Sequence, residues 1–297
     1  MASEAPAWSD FETGAPLDLS EWPDVRGVPV LVPDARAFLV RHGLGPSPFS
    51  RTVQPDPLPI DAPDPLTPHL PPGRWPKGLL PVGDFGAWVE LLGERCPDAV
   101  CADWGHSHAP DGPALDAGCG VGGMARRMAE AGRSVCAFDR SPAAVLLARD
   151  LVSGNLPTVY VPLARSAARE VAWPHGAQAG VQWAIADVLV PPLPPESFAW
   201  IHLGSVVDMV DGGPEAVIDA VSPLLMSGGL LTIATPHDED RPPIPGTPDP
   251  TEDLRHILDA LGLHVIAQDR AVPWVVRQYD RGYRVLLTDC LAARASW

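Results

Sequence analysis

The chain has 297 residues, 46% of them hydrophobic and 20% charged, which is ordinary for a globular protein able to bury one substantial core. Its formal net charge of −16 and pI near 4.8 exclude the broad basic face that nucleic acid or an anionic membrane demands. A small neutral or cationic substrate suits that balance better. No run of 18 apolar residues offers a membrane span, and residues 1–10 lack the basic and apolar regions of a signal peptide. The five cysteines are odd in number and sit mostly in predicted core elements, so reduced thiols and a cytoplasmic location are expected.

Proline organises the first third. Twenty of the 37 prolines lie in residues 1–113, and twelve of these fall within 46–81. Proline lacks the backbone donor and fixes φ, so 46–81 is expected to be neither helix nor central strand. Leu58, Ile60, Leu66, Leu70 and Trp75 recur within it, which suggests an extended cover packed on a surface. The expected division is a proline-rich N-terminal arm over 1–82, with a short helix at 34–42, followed by one domain over 83–297. A helix over 84–96, capped by Asp84, opens that domain. Cys96, Cys101, His106 and His108 fall in an expected loop and match no common zinc spacing, so no metal is expected.

From Ala114 the pattern alternates strand and helix. The run 114–123, ALDAGCGVGG, is an apolar strand end, an acid and then glycines at alternate positions. Such a turn lets the backbone press against a ligand at a helix N-terminus. A second strand follows at 134–139 and ends in Asp139, placed to accept hydrogen bonds from ribose hydroxyls. Ser141-Pro142 caps a helix running to Gly154, and 155–180 is expected to be irregular with a short strand at 159–161. Further strands are expected at 181–188, 198–205 and 228–235, with helices at 211–225 and 251–261. The tail, 264–278 and 283–292, forms an expected antiparallel hairpin in which Pro273 implies an edge or bulge.

Gly118, Gly120 and Gly123 also satisfy the dinucleotide fingerprint G-x-G-x-x-G. Asp116 argues against a pyrophosphate there and suits a ligand with a cationic centre and an ammonium group. The quoted residues resemble motif I and the following acid of the class I S-adenosylmethionine-dependent methyltransferases, and the pattern of elements extends over roughly 83–297. The resemblance implies an α/β, Rossmann-like sheet with a C-terminal antiparallel hairpin, S-adenosyl-L-methionine as cofactor and S-adenosyl-L-homocysteine as product. It implies that Asp116, Gly118, Gly120 and Gly122 cradle the methionyl end and Asp139 the ribose. Asp187 and Val188 would hold the adenine, with Arg140 and Leu203 as further cofactor contacts.

Acceptor-side candidates should lie beyond strands four and five. Asp208 follows strand four in an apolar stretch, where a carboxylate needs a partner. A cap or ion pair for the next helix is its structural alternative. His237 follows strand five as a candidate base or a solvent-facing turn residue, and His202 reads as a core histidine. The segments 206–210 and 272–281 resemble the imidazole N-methyltransferases, of the carnosine and ovothiol-type thiohistidine kinds. That resemblance implies a histidine-derived imidazole as acceptor, Asp208 facing the ring, and roles for His237, Arg277, Arg281, Tyr279 and Tyr283. Ser205 and Met209 depart from the ovothiol pattern, which has asparagine and arginine there. An O-methyltransferase of a small natural product and a catalytically silent cofactor-binding partner subunit are the alternatives. Oligomeric state is not specified by the sequence.

Overall fold

The structure, a computed structural model, describes residues 5–10, 13–42, 96–164, 167–172, 176–237, 249–279 and 282–297. The expected cover at 46–81 and all but Cys96 of the expected helix at 84–96 lie outside these residues. Two short strands, β1 (Asp24–Val25) and β2 (Val28–Leu31), and helix α1 (Ala35–Arg41) precede helix α2 (Pro97–His108). Then come β3 (Ala114–Ala117), α3 (Gly123–Glu130), β4 (Val135–Asp139), α4 (Pro142–Val152) and the hairpin strands β5 (Thr158–Ala164) and β6 (Ala167–Ala172). The chain continues through β7 (Val181–Ala186), β8 (Phe198–Gly204), α5 (Gly213–Val221), β9 (Leu225–Thr235), α6 (Pro250–Ala260), β10 (Leu263–Tyr279) and β11 (Gly282–Ala295).

Among the described residues nine strands form one sheet, ordered β1-β2-β7-β4-β3-β8-β9-β11-β10. The strands from β2 to β9 run parallel, and β11 and β10 close the sheet antiparallel. This is the expected Rossmann-like α/β sheet with its C-terminal antiparallel hairpin. Residues on the two faces of β3 and β8 belong to two buried clusters, one holding Leu115 and Ile201, the other Ala114 and Trp200. Burial on both faces explains why these strands read as continuous apolar runs.

Three local expectations change. Residues 97–108 form a helix, not a loop, because Pro97 occupies its first turn beside the acidic Asp98, and its buried face packs small residues. The stretch expected to be irregular contains the β5–β6 hairpin, a separate two-stranded sheet. Residues 24–31, within the expected arm, join the main sheet: Val30 and Leu31 pair in parallel with Ile185 and Ala186 of β7. Apolar Val28, Val30 and Leu31 gain full burial by completing that edge.

The tail hairpin reaches beyond the sheet. β11 pairs with β9 from Asp289 to Arg294, so residues 282–288 and their β10 partners continue past the end of β9 as a two-stranded ribbon. Pro273 sits on β10, the edge strand, near a shift in register.

α2 approaches the sheet closely at Gly105, where a Cβ would lie 2.2 Å from the Trp200 ring. The ring cannot swing aside freely, because its indole N–H donates to Thr232 Oγ1 at 2.8 Å. Gly105→Ala is therefore expected to destabilise the protein by about 1–3 kcal/mol through overpacking. Thermal unfolding should show a midpoint several degrees lower; an unchanged midpoint would mean that α2 does not bear on Trp200.

Candidate active site

β4 lies on one side of β3 and β8 on the other, so a crevice opens beyond the carboxyl ends of the parallel strands. The loop from β3 to α3 fills its centre. Gly118 has φ of +78°, and a Cβ there would come within 2.2 Å of Val206 in the loop after β8. Glycine alone meets both demands. The N–H groups of Gly118 and Cys119 both donate to the Phe138 carbonyl at 2.9 Å, which pins the loop to β4.

Asp139 completes that attachment. Its Oδ2 accepts from the Gly120 N–H at 3.0 Å, and its Oδ1 accepts from the Ser141 N–H at 2.8 Å. Ser141 in turn caps α4 by accepting from the Ala144 N–H at 3.3 Å. Burial raises the Asp139 carboxyl above its ordinary range, while its backbone donors pull it back. Asp116 Oδ2 accepts from the Ala125 N–H of α3 at 2.8 Å. Burial, aided by the negative charge of nearby Asp98, pushes its carboxyl up to about 8.

These groups wall a cavity of about 560 Å³, a size typical of small-molecule sites. Of the residues expected to hold a ligand, Asp116, Gly118, Gly120, Asp139, Arg140, Asp187, Val188 and Asp208 all line it. Asp187 follows β7; its Oδ1 accepts from the Leu189 N–H at 3.1 Å, and Arg140 Nε lies 3.8 Å from its Oδ2.

Three expected residues lie outside the cavity wall. Gly122 faces a packed junction, where a Cβ would sit 3.0–3.2 Å from Trp183, Ala148 and Val152. Leu203 points into the core, while its neighbours His202 and Gly204 line the cavity. His237 Nε2 lies 3.5 Å from Asp289 Oδ2 and 3.4 Å from Thr251 Oγ1, and Thr251 donates to the same carboxylate. Arg270 Nε approaches that carboxylate at 3.6 Å, so this histidine belongs to a network joining β9, α6 and the hairpin. Arg277 and Tyr283 are register partners across the hairpin, with side chains outside the described set. The Tyr279 side chain and Arg281 lie outside it as well.

Residues not singled out from the sequence complete the wall. Asp98 enters from the first turn of α2, and Trp274 and Leu286 come from the ribbon, opposite one another in register. The Pro-Asp pair after Cys96 is a helix-start signal that could have found Asp98.

The parallel sheet, its glycine turn and the acids at the ends of β3 and β4 define a Rossmann-like methyltransferase fold. Residues 92–270 match the methyltransferase domain family, and the chain belongs to that family. S-adenosyl-L-methionine is its cofactor. Similar solved structures include the magnesium protoporphyrin IX methyltransferase of Synechocystis PCC 6803 with bound S-adenosylmethionine. It is 19% identical, covers 75% of this chain and 90% of that one, and has a TM-score of 0.46. A protein of echinomycin biosynthesis tied to conversion of a disulfide bond into a thioacetal group is 20% identical over 70% and 88% of the two chains, with a TM-score of 0.47. A chain from the complex of the Haloferax volcanii Trm112 methyltransferase activator with a putative methyltransferase is 16% identical over 72% and 96%, also at 0.47. No curated protein matches the sequence.

The cavity fits the cofactor on its own chemistry: carboxylates for a cationic amino acid end and a glycine turn that admits close approach. Asp116, raised to about 8, is mostly protonated at pH 7 in the free protein. A cation bound beside it favours the carboxylate, so binding should release a proton and affinity should rise with pH from about 6 to 8. Calorimetry of S-adenosylhomocysteine in buffers of different ionisation enthalpy checks this. Wild type should release more protons at pH 7 than Asp116→Asn; equal release would show that Asp116 is already ionised.

Proposed function

We propose that the protein transfers a methyl group from S-adenosylmethionine to a nitrogen of a small molecule, the imidazole of a histidine derivative. The observation that carries this reading is the position of Asp208 on the wall of the cavity that also holds the glycine turn. Around it the wall mixes apolar Val206, Met209 and Val210 with Ser205 and Asp211 on the same loop, and Trp274 and Leu286 face it from the ribbon. A carboxylate in such surroundings favours a cation or a ring that becomes one.

When bound, the cofactor supplies an already activated methyl group. Gly118 and Gly120 would hold the methionyl end together with Asp116, Asp139 would hold the ribose, and Asp187 with Val188 the adenine. On the acceptor side the protein must align the nucleophilic nitrogen and deal with the charge that develops. A neutral imidazole offers one lone pair and keeps a proton on its other nitrogen. Alkylation makes the ring cationic, and the carboxylate of Asp208 against that N–H stabilises charge present only late in the reaction, then accepts the proton. An oxygen acceptor would instead need a base to take its proton. His237 does not line the cavity, and its Nε2 is engaged by Asp289 and Thr251, which removes His237 as that base.

Asp139→Ala is expected to weaken S-adenosylmethionine binding at least tenfold, since charge-assisted hydrogen bonds are each worth about 1.5–3 kcal/mol. Calorimetry on the folded variant measures this, and unchanged affinity would remove Asp139 from the site.

Asp208→Asn keeps the shape and removes the charge and the proton acceptor. It should lower kcat on an imidazole acceptor about a hundredfold or more with cofactor affinity nearly unchanged. Turnover near wild type would mean that Asp208 only caps the loop after β8, and a panel of amines, imidazoles and phenols would then locate the true acceptor.

A further inference from the structure

We infer that Trp8, which lies outside the matched domain at 92–270, is a positioning residue for the cofactor. It holds the loop after β7 in the shape that receives the adenine. The inference rests on the placement of the adenine at Asp187 and Val188 given above and is independent of the acceptor.

The loop has little with which to hold itself. It joins β7 to β8 in eleven residues, 187–197, four of them proline, and no helix forms within it. Proline has no N–H to donate. Leu189 donates to Asp187 Oδ1 at 3.1 Å and Val190 to the Asp187 carbonyl at 3.2 Å. Past Val190 the loop adds the Leu193 N–H to the Pro191 carbonyl at 2.9 Å. Its far end is tied elsewhere: the N–H groups of Glu196 and Ser197 donate at 2.9 Å to the carbonyls of Pro223 and Leu224. Asp187, Val188 and Leu189, the stretch that lines the cavity, need support from another part of the chain.

The N-terminal segment supplies it. The Pro6 carbonyl accepts from Cys136 Sγ of β4 at 3.7 Å, and the Ser9 N–H donates to the Pro192 carbonyl at 2.8 Å. The segment thus crosses from β4 to the loop, and Trp8 stands between the two ties. Trp8 is 4% exposed and belongs to the buried cluster that holds Phe138, Ala186, Val188 and Leu193. Phe138 and Val188 also line the cavity, so one layer of side chains separates the indole from the ligand space. The Trp8 carbonyl accepts from the Leu17 N–H at 2.9 Å, and Leu17 packs on the same cluster, which closes the segment behind the ring.

A large, rigid indole under a proline-rich loop restricts that loop to one shape. A smaller side chain would leave space into which the loop relaxes, and the shape that fits adenine would be one of several. Apparent affinity then falls with the fraction of protein in the competent shape.

Calorimetry should compare wild type, Trp8→Leu and Trp8→Phe with S-adenosylhomocysteine and with 5′-methylthioadenosine, which keeps the adenosine and lacks the amino acid end. Trp8→Leu should bind both ligands about fivefold or more weakly, by the same factor for each, and Trp8→Phe should fall between it and wild type. If Trp8→Leu does not fold, Trp8→Phe decides, and both ligands should again lose affinity together. A role in folding alone would lower the unfolding midpoint and leave both affinities at wild type, which would overturn the inference. A loss confined to S-adenosylhomocysteine would overturn it as well. Asp187→Ala separates this inference from the adenine placement. Wild-type binding of both ligands by Asp187→Ala would overturn the placement and the role of Trp8 with it. Weak binding by Asp187→Ala beside normal binding by the Trp8 variants would overturn the role of Trp8 alone.

Discussion

The site keeps its shape because one carboxylate accepts two backbone N–H groups. Asp139 holds Gly120 in the turn after β3 and Ser141 at the entry to α4, so a single side chain fixes the outlets of two neighbouring strands. Without it the N–H groups would need other acceptors in a setting with little water. The arrangement is expensive in charge. Asp98, Asp116 and Asp139 stand on one cavity wall, and burial raises the latter two carboxyls. That cost is tolerated because a cationic ligand relieves it, which ties the stability of the free protein to the chemistry of what it binds.

What could be read locally was read. The glycine turn, the acids at the ends of β3 and β4 and just after β7, the Ser141 cap and the Pro273 edge strand each depend on a few adjacent residues, and the structure has them where the sequence places them. α2 was missed because its inward face is made of Val100, Cys101, Ala102 and Gly105, too small to print an apolar stripe. Its fit against Trp200 is a property of the pair and not of the helix. β2 escaped for a similar reason: its value lies in pairing with β7, more than 150 residues along the chain.

The histidines show the same divide. The sequence reads His202, inside β8, as a core histidine and His237, beyond β9, as a candidate base, but it does not say which of them reaches the cavity. Tertiary neighbours do. One has its nitrogen engaged by Asp289 and Thr251 outside the cavity, and the other has its far nitrogen fixed by Thr232 and its near one turned inward. Register across three strands, which no short window of sequence contains, decides between a structural tie and a place on the cavity wall.

The ribbon that overshoots β9 gives the molecule a division of labour between its two ends. Gly118, Asp116 and Asp139 belong to the first βαβ unit, whereas Trp274 and Leu286 reach the same cavity from the last hairpin. Their side chains are only half-buried and their strands are anchored further down, where β11 meets β9. Exchanging those two residues therefore reshapes the far wall while leaving untouched the packing that folds the sheet and the glycine turn on the near wall. A chain built this way can alter the far end of its cavity one hairpin residue at a time while the first βαβ unit stays as it is.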